Sequence, residues 1–300
     1  MSETKLTAQS EYNNDVVEKR KTTLWLDFWR KFRKQKTAVV SGLFIVMLLI
    51  VAIIGPYLAP YGPAEPDYGS ILKGPSAAHL AGTDAYGRDI FSRIIVGSRI
   101  SLLISISSVF LGAAIGSILG LISGYYGRWL DSLIMRGCDV LFSFPGMLLA
   151  IGIIAILGPG LTNVVIAIAI FTVPTFARIV RSGTLSAKGS VFVEAARSIG
   201  ATNKRMIWKH IFPETVSSII VYFTMRIGNA ILVAASLGFL GLGAKPPTPE
   251  WGAMLSMGRD YISTHPHITF FPGLAIFLTV LAFNLLGDGL RDALDPKIKN

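Results

Sequence analysis

Charged residues are scarce in this sequence: they make up 15% of its 300 residues, against about 25% in a typical soluble domain. Five long stretches contain no Asp, Glu, Lys or Arg, and they cover residues 37–64, 100–127, 140–177, 227–244 and 261–287. A membrane-spanning helix needs only about 20 apolar residues. The scarcity of charge therefore excludes an ordinary soluble protein and predicts several membrane spans.

Cysteine is nearly absent, since Cys138 is the single one in the sequence. One cysteine excludes an intramolecular disulfide and leaves the redox compartment open. Cys138 stands at the edge of an apolar stretch, and we assign it to packing rather than to chemistry.

Catalytic constellations are missing from the apolar stretches as well. None of the spans expected within them holds the Ser/His, paired-Asp or His-Glu arrangement that an intramembrane hydrolase needs. Asp and Glu avoid these stretches, whereas an ion-coupled secondary transporter places acids or broken helices near the bilayer midplane. An enzyme is therefore not expected, and an ion-coupled secondary transporter is disfavoured; whether ATP or an ion gradient supplies energy would separate that class from its alternatives.

Neither a nucleotide site nor a metal site is predicted. Residues 82–89 approach a phosphate-binding loop, but Arg88 replaces its Lys and Asp89 replaces its Ser or Thr. His265 and His267 lack a nearby Cys or carboxylate pair, which leaves a metal site incomplete. Closure of their loop or contact with a binding protein is the simpler interpretation, and we expect no cofactor.

The apolar runs predict six membrane spans. The run 140–177 is too long for one helix, and the Gly-Pro-Gly sequence at 158–160 is expected to split it into an antiparallel pair. Pro145 and Pro174 would kink the two helices of that pair. The first run has no small-residue cleavage site after it and is expected to stay as an anchor. The other four spans are expected at residues 38–58, 100–123, 216–240 and 268–287.

The formal net charge of +10 follows the predicted loops. With both termini in the cytoplasm, the inner segments hold 21 of the 28 Lys and Arg residues and the outer loops hold 6. Cytoplasmic loops of membrane proteins carry such an excess. Both termini are therefore predicted to be cytoplasmic, and anionic inner-leaflet lipid, rather than nucleic acid, accounts for the basic composition.

Residues 22–36 are expected to form a basic amphipathic helix before the first span. Four aromatic residues recur there at helical spacing: Trp25, Phe28, Trp29 and Phe32. Four basic residues fall largely on the other side: Arg30, Lys31, Arg33 and Lys34. Such a helix lies in the membrane interface and is anchored by its Trp residues. A partly disordered basic tail is the alternative.

Glycine recurs at every fourth position of the second span, as Gly112, Gly116, Gly120 and Gly124. Small residues let two helices approach closely in lipid, which gains van der Waals contact. Packing within this chain and packing against a partner membrane subunit both fit the stripe.

Arg226 is the one formally charged residue that falls deep in a predicted span, which makes it a functional-site hypothesis by default. With Asn229 one turn further on, Arg226 is a candidate for lining a polar translocation path. In the alternative interpretation, the fifth span starts later and Arg226 snorkels toward the cytoplasmic surface.

The segment 178–214 is long, basic and predicted to be cytoplasmic. Its marked residues are Glu194, Ala195, Ala196, Gly200, His210, Ile211, Phe212 and Pro213. The two alanines after an acid favour a short helix, and Gly200 is suited to end that helix in a left-handed conformation. Pro213 is expected to stop the chain before the fifth span. The segment is therefore predicted to form a helix, a turn and a helix.

This segment resembles the EAA loop of ABC importer permeases, in which Glu-Ala-Ala, three residues, Gly and nine residues precede Ile-x-Leu-Pro. The register matches at Glu194, Ala195, Ala196, Gly200 and Pro213, while His210 replaces the Ile and Phe212 replaces the Leu. In that family the loop docks in a cleft of the ATPase subunit. The resemblance thus implies an ATPase-coupling role for Glu194, Ala195, Ala196, Gly200, Ala201, His210 and Pro213.

Three further segments resemble the dipeptide, oligopeptide, nickel and glutathione permeases, and specifically their second permease subunit. They are Gly82-Thr83-Asp84 with residues 87–91, the Gly-rich stretch 236–243, and residues 284–296. The similarity covers roughly residues 22–300, and the glutathione or dipeptide branch is the most similar.

The apolar runs and the resemblance together imply an all-α polytopic membrane protein with six transmembrane helices and the type I ABC importer permease fold. Residues 1–36 are expected to form a cytoplasmic tail with the interfacial helix, and residues 37–300 the permease domain, with its coupling loop at 179–214. The implied partners are a homologous second permease, two ATP-binding cassette ATPase subunits, an extracytoplasmic solute-binding protein and membrane lipid. The expected function is ATP-driven import of small peptides or peptide-like solutes across the bacterial inner membrane by alternating access.

Overall fold

The protein is built from α-helices that pack around one main core. The computed structural model describes Leu26 and residues 28–294, and within them no strand occurs beyond one isolated bridge between Thr83 and Asp89. The main helices are α1 (Lys36–Leu58), α2 (Ile90–Tyr126), α3 (Arg128–Phe142), α4 (Gly146–Leu157), α5 (Leu161–Lys188), α6 (Val191–Ser198), α7 (Phe212–Phe239), α8 (Trp251–Gly258) and α9 (His267–Leu294). Five helical stretches, those of α1, α2, α5, α7 and α9, are long and apolar enough to cross a membrane, and there are six if the bent pair α3–α4 counts as one span.

The third predicted span is not one helix with a kink at Pro145, because the chain turns sharply there between α3 and α4. Helices α3 and α4 meet at 90° across residues 143–145. Proline lacks a backbone N–H and disfavours helical geometry in the residue before it, so the chain turns here instead of bending. Helix α4 has 12 residues and is about 18 Å long, well short of the ~30 Å hydrocarbon core. The predicted turn between the third and fourth spans is confirmed, with Gly158 at φ +88° and Gly160 at φ +156°.

Several helices run beyond their predicted ends. Helix α2 begins ten residues earlier than expected because the Asp89 carboxylate caps it, accepting a hydrogen bond from the Ser92 N–H at 2.7 Å. Helix α5 continues to Lys188, past the predicted end at residue 177. Arg181 on this extension donates two hydrogen bonds of 2.5 and 2.6 Å to Asp131 of α3. The paired charges keep the extension helical, so the first ten residues of the predicted coupling loop belong to α5.

The glycine stripe of α2 packs against α5 of the same chain. A Cβ atom built on Gly116 would lie 2.5 Å from the carbonyl oxygen of Val173, and one on Gly120 would lie 2.5 Å from that of Ala177. Helix α5 likewise crowds Gly112 and Gly124. Of the two interpretations that fitted the stripe, the structure therefore selects packing within the chain.

Helix α1 crosses its neighbours diagonally. Near its C-terminal end Gly55 approaches Ile95 of α2, whereas near its N-terminal end Ala38 contacts Gly289 of α9. Gln35, just before α1, also donates a 3.1 Å hydrogen bond to Asp292. One half of α1 therefore covers α2 and the other half covers α9.

Part of the predicted interfacial helix is described. Residues 28–34 are helical, with the rings of Phe28 and Phe32 stacked 5.9 Å apart and the Arg33 guanidinium 5.0 Å from the Trp29 ring centre. Trp25 and the tail before it lie outside the described residues. The position of this helix at a membrane surface stays a prediction.

Candidate coupling site and translocation path

Helix α6 ends in a backbone motif that favours glycine at position 200. Gly200 has a φ of +80°. Its N–H donates to the carbonyl of Arg197 at 3.0 Å, and the Ala201 N–H donates to the carbonyl of Ala196 at 3.2 Å. These two bonds define a Schellman motif, whose left-handed residue is usually Gly. The left-handed turn predicted at Gly200 is confirmed.

The two faces of α6 have different surroundings. Val193 and Ala196 are buried in a small core together with residues of α2, α5 and the helical stretch before α7. The opposite face exposes Val191, Phe192, Glu194, Ala195 and Ile199. Val191 is 82% exposed and Ile199 is 87% exposed. One face thus anchors the helix, and the rest presents apolar side chains, the acid Glu194 and the base Arg197 to the outside.

Sequence reasoning singled out Glu194 and Ala195 on the exposed face but missed its three apolar members. Val191, Phe192 and Ile199 read as ordinary core residues in the sequence. Their exposure becomes apparent only in the structure, where the packing of Val193 and Ala196 fixes which face of α6 points outward.

Pro213 does not stop the chain, and that prediction is wrong. It lies in the first turn of α7, and the helical stretch from Asn203 to Phe239 runs through it. The turn before it, Met206–Ile211, is a π-helix in which the Phe212 N–H donates to the carbonyl of Ile207. A wider turn accommodates a residue whose ring would clash with the ordinary helical carbonyl and which has no N–H to donate. His210 lies half-buried within this π-helix.

The predicted coupling loop is fastened to the end of α2. The Tyr125 hydroxyl lies 2.7 Å from the side-chain oxygen of Asn203 and donates to it, while the Lys188 ammonium donates to the Tyr125 carbonyl at 2.6 Å. The Thr202 hydroxyl caps the next helical turn by accepting from Arg205. Three helices, α2, α5 and α7, therefore hold the ends of the segment that carries α6.

Arg226 lies in the middle of α7, about 21 Å along the axis from its first residue. Its guanidinium donates to the hydroxyl of Thr175, which follows Pro174 in α5. Asn229 is exposed and takes no part in this contact. Since α7 begins before residue 216 rather than after it, the alternative of a later start is not supported.

The segment before α2 folds into a cap held by side-chain contacts, one of them an ion pair. Asp84 accepts from the Arg88 Nε at 2.8 Å, and His79 lies 2.9 Å from Asp89. Gly82 and Gly87 both have positive φ. The motif read from 82–91 thus shapes the loop before α2 and supports that helix.

His265, in the loop before α9, and His267, the first residue of α9, do not assemble a metal site with other described residues. His265 lies beside Thr264, and the Nε2 of His267 is 3.3 Å from the Thr83 carbonyl. Across the described residues, no group of three potential metal ligands is found. The contact to Thr83 instead joins the start of α9 to the loop before α2.

Glu250 ties the loop after α7 to α8. Its carboxylate caps α8 by accepting hydrogen bonds of 2.8 Å from the N–H groups of Gly252 and Ala253. Gly238 leaves room for it, because a side chain there would collide with the carboxylate. Burial raises the pKa of Glu250 above its ordinary value of 4.5, while the two backbone hydrogen bonds oppose that shift. Sequence reasoning missed this residue because an acid between loop residues gives no sign of burial.

The raised pKa predicts a pH dependence of stability. Between pH 4.5 and the pKa in the folded state, the folded protein binds more protons at Glu250 than the unfolded chain does, so its contribution to the free energy of unfolding falls as pH rises. We expect the thermal midpoint of the wild type to decline more steeply over this interval than that of Glu250→Gln. Melting curves of both proteins in detergent at matched pH values test this, and equal slopes would contradict it.

Comparison with known proteins identifies the family. The model of the binding-protein-dependent transport system inner membrane component matches residues 116–300. The model of the N-terminal transmembrane domain of oligopeptide transport permease C matches residues 23–75. The first of these alone covers more than half of the chain.

Two curated relatives are similar over nearly their whole length. The glutathione transport system permease protein GsiD of Escherichia coli O6:K15:H31 (strain 536) is 59% identical over 278 residues, which is 92% of each chain. The protein of the same name from Pectobacterium atrosepticum is 56% identical over 286 residues, or 95% of each chain.

Solved structures share the fold at low identity. An inward-facing form of the MetNI methionine ABC transporter matches with a TM-score of 0.56 and 20% identity, covering 68% of this chain and 97% of that one. An amino acid ABC transporter crystallised with histidines matches with a TM-score of 0.53 and 19% identity, covering 66% and 92%. The type I importer permease fold predicted from the sequence is confirmed. The chain belongs to the family of binding-protein-dependent transport system inner membrane components, and it is a multi-pass permease subunit of an ABC importer rather than an enzyme.

Proposed function

We propose that this permease imports glutathione or small peptides of similar size into the bacterial cytoplasm. The observation that carries the proposal is the 59% identity, over 92% of both chains, to a protein named as a glutathione transport permease. At this coverage the similarity includes the membrane spans as well as the segment that meets the ATPase.

Permeases of this family work with a partner permease and with ATPase subunits. We propose that the assembly holds two ATPases and that an extracytoplasmic binding protein delivers the solute. The charge distribution supports an orientation with both termini in the cytoplasm, which places α6 on the ATPase side. ATP would then close the ATPase pair and move α6 inward, and the passage would open toward the binding protein, since transport requires two states with different affinities.

The exposed face of α6 supports its role in coupling. Apolar side chains at the protein surface mark contact sites for other proteins, and Val191 and Ile199 are nearly fully exposed beside Glu194. The anchored face transmits any push on this surface to α2, α5 and α7. This helix is formed or ended by Glu194, Ala195, Ala196, Gly200 and Ala201. His210 and Pro213 lie in the helical stretch that follows, Asn203–Phe239.

We also propose that Arg226 and Asn229 line the translocation path, and this predicts a transport defect. Arg226→Ala removes a charged donor that reaches Thr175, and loss of a charge-assisted hydrogen bond costs about 1.5–3 kcal/mol. We expect the uptake rate to fall about tenfold or more, with Arg226→Lys in between. Lys245→Ala, in an exposed loop, is the control and should transport normally. Unchanged uptake and unchanged ATPase stimulation in Arg226→Ala would remove Arg226 from the path.

Uptake of labelled glutathione tests the proposed substrate directly. In cells that lack the gene for this permease, uptake of glutathione and of a labelled dipeptide should drop to background, and the wild-type gene should restore one or both. Unlabelled competitors then rank the substrates. Unaltered glutathione and dipeptide uptake, together with loss of nickel uptake, would show that the transported class is different.

A further inference from the structure

An apolar groove lies between α2 and the beginning of α7, on the side of α2 away from its glycine stripe. We call it the inner groove. Its volume is about 490 Å³. Its walls include Phe110, Ala114 and Ile118 on α2, and Phe212, Ile220 and Phe223 on α7.

The course of α1 explains why the inner groove stays open. Helix α1 covers α2 near Ile95 but leans onto α9 at its other end, where Ala38 meets Gly289. The half of α2 that follows Phe110 is therefore left without α1 beside it. An apolar cleft remains between α2 and α7.

The length of the inner groove corresponds to one leaflet of a bilayer. Phe110 and Leu121 bound its α2 wall, and the eleven residues of rise between them span about 16 Å. Half of the hydrocarbon core of a bilayer is about 15 Å thick. An acyl chain that enters from the interface would thus fill the groove without crossing the midplane.

The mouth of the inner groove has the chemistry of a membrane interface. A second cavity of about 380 Å³ continues from it, sharing Ile118, Leu121 and Trp208 and adding Tyr126 and Lys204. Tyr and Trp are enriched where apolar core meets headgroups. The Trp208 ring is braced edge-on by Phe212, with ring centres 5.4 Å apart.

The charge at this mouth is positive and unbalanced along the chain. Lys204 lines the cavity, and the exposed Arg205 and Lys209 lie close to it in sequence. Residues 195–213 contain no acid, and among the described residues no ion pair involves these three side chains. Basic side chains at the inner surface attract anionic lipid headgroups.

We propose that the inner groove binds an anionic phospholipid of the inner leaflet, with an acyl chain between α2 and α7 and the phosphate beside Lys204 and Trp208. The proposal rests on the cytoplasmic orientation of this end of the chain. A helix of the partner permease is a weaker candidate, because helices associate in lipid through small residues. The glycine stripe of α2 is already occupied by α5, and although Ala113, Ala114 and Ser117 also line the groove, most of its wall consists of large Phe, Ile, Leu and Trp side chains.

Photocrosslinking identifies the occupant. Ala114, an exposed residue in the wall of the inner groove, is replaced by p-benzoyl-phenylalanine in the complete transporter, which is irradiated in intact membranes and analysed by mass spectrometry. We expect an adduct with the mass of phosphatidylglycerol on the permease. An adduct with the partner permease in its place would overturn the proposal.

Lipid retention measures the selectivity. The assembled transporter is released from nanodiscs of equimolar phosphatidylglycerol and phosphatidylcholine, and bound lipid is counted by native mass spectrometry. We expect phosphatidylglycerol to be retained in excess. Lys204→Gln should lower that excess about fivefold, the factor that one basic residue contributes at an anionic surface, and Ala114→Trp should remove the lipid by filling the groove.

Arg136→Gln is the matched control, because it removes one exposed positive charge on α3, outside both cavities, and should leave retention unchanged. Equal retention of both lipids by the wild type, or equal losses in Lys204→Gln and Arg136→Gln, would overturn the proposal. Neither readout uses substrate or ATP, so a failure of the proposed substrate would not affect it.

Discussion

Gly200→Val is expected to leave ATP hydrolysis by the assembled transporter largely intact while reducing solute uptake at least about tenfold. No atom lies within 4 Å of the position where the new side chain would begin, so steric collision is not the cause. The cause is the φ of +80°, which costs a β-branched residue about 1–3 kcal/mol. A factor of ten corresponds to about 1.4 kcal/mol. The Schellman motif would open, and α6 would lose its fixed angle to the helical stretch Asn203–Phe239 that follows it.

Two matched variants separate the backbone from the side chain in this prediction. Gly189→Val places the same residue in the same segment, where φ is −86° and the nearest atom to a new Cβ is 3.8 Å away, and it should transport normally. Gly200→Asn keeps a residue that tolerates the left-handed conformation and should retain most of the uptake. Uptake and hydrolysis are measured together in proteoliposomes. Normal uptake by Gly200→Val would refute the idea that the turn transmits movement.

Gly116→Ala is expected to destabilise the permease, although alanine is the better helix former by about 1 kcal/mol. The added methyl group would lie 2.5 Å from the Val173 carbonyl oxygen and 2.8 Å from the Phe176 Cβ, so α2 and α5 must separate. Overpacking of this kind typically costs about 1–3 kcal/mol. The thermal midpoint of the purified protein in detergent should fall accordingly.

Gly152→Ala is the matched control for the helix seam. Gly152 also lies inside an apolar helix, α4, but no atom lies within 4 Å of the position that its new methyl group would take. The same substitution there should be neutral or stabilising, because only the helix propensity changes. A lower midpoint in both variants, or in neither, would contradict the close packing of α2 on α5.

The spans that the sequence predicts well are those in which hydropathy acts alone. The limits of α1 differ from the predicted 38–58 by two residues at the start and none at the end, because Lys34 and Lys36 mark the start of the apolar run and Pro60 follows its end. The turn at Gly200 was likewise predictable, since glycine is the residue that a left-handed helix end favours. In these places local chemistry determines the structure.

Features that depend on contacts between residues far apart in the sequence could not be predicted from the sequence. The extension of α5 depends on the hydrogen bond from Arg181 to Asp131, fifty positions away in the sequence. No local sequence pattern predicts this pair. The 90° break at Pro145 reads in the sequence as an uninterrupted apolar run. Pro213 has the usual signal of a helix stop, but the π-helical turn before it removes the conflict. The inner groove depends on the path of α1, which hydropathy does not specify.

The continuous helical stretch from Asn203 to Phe239 has one consequence for timing. At 37 residues it is about 55 Å long, and one of its ends carries the turn at Gly200 while the other meets the buried carboxylate of Glu250. If this helical stretch tilts as a unit about its middle, a displacement of one end is accompanied by an opposite displacement of the other end. We therefore expect that the two sides of this protein do not open at the same time, because one helix connects them and no additional coupling element is required.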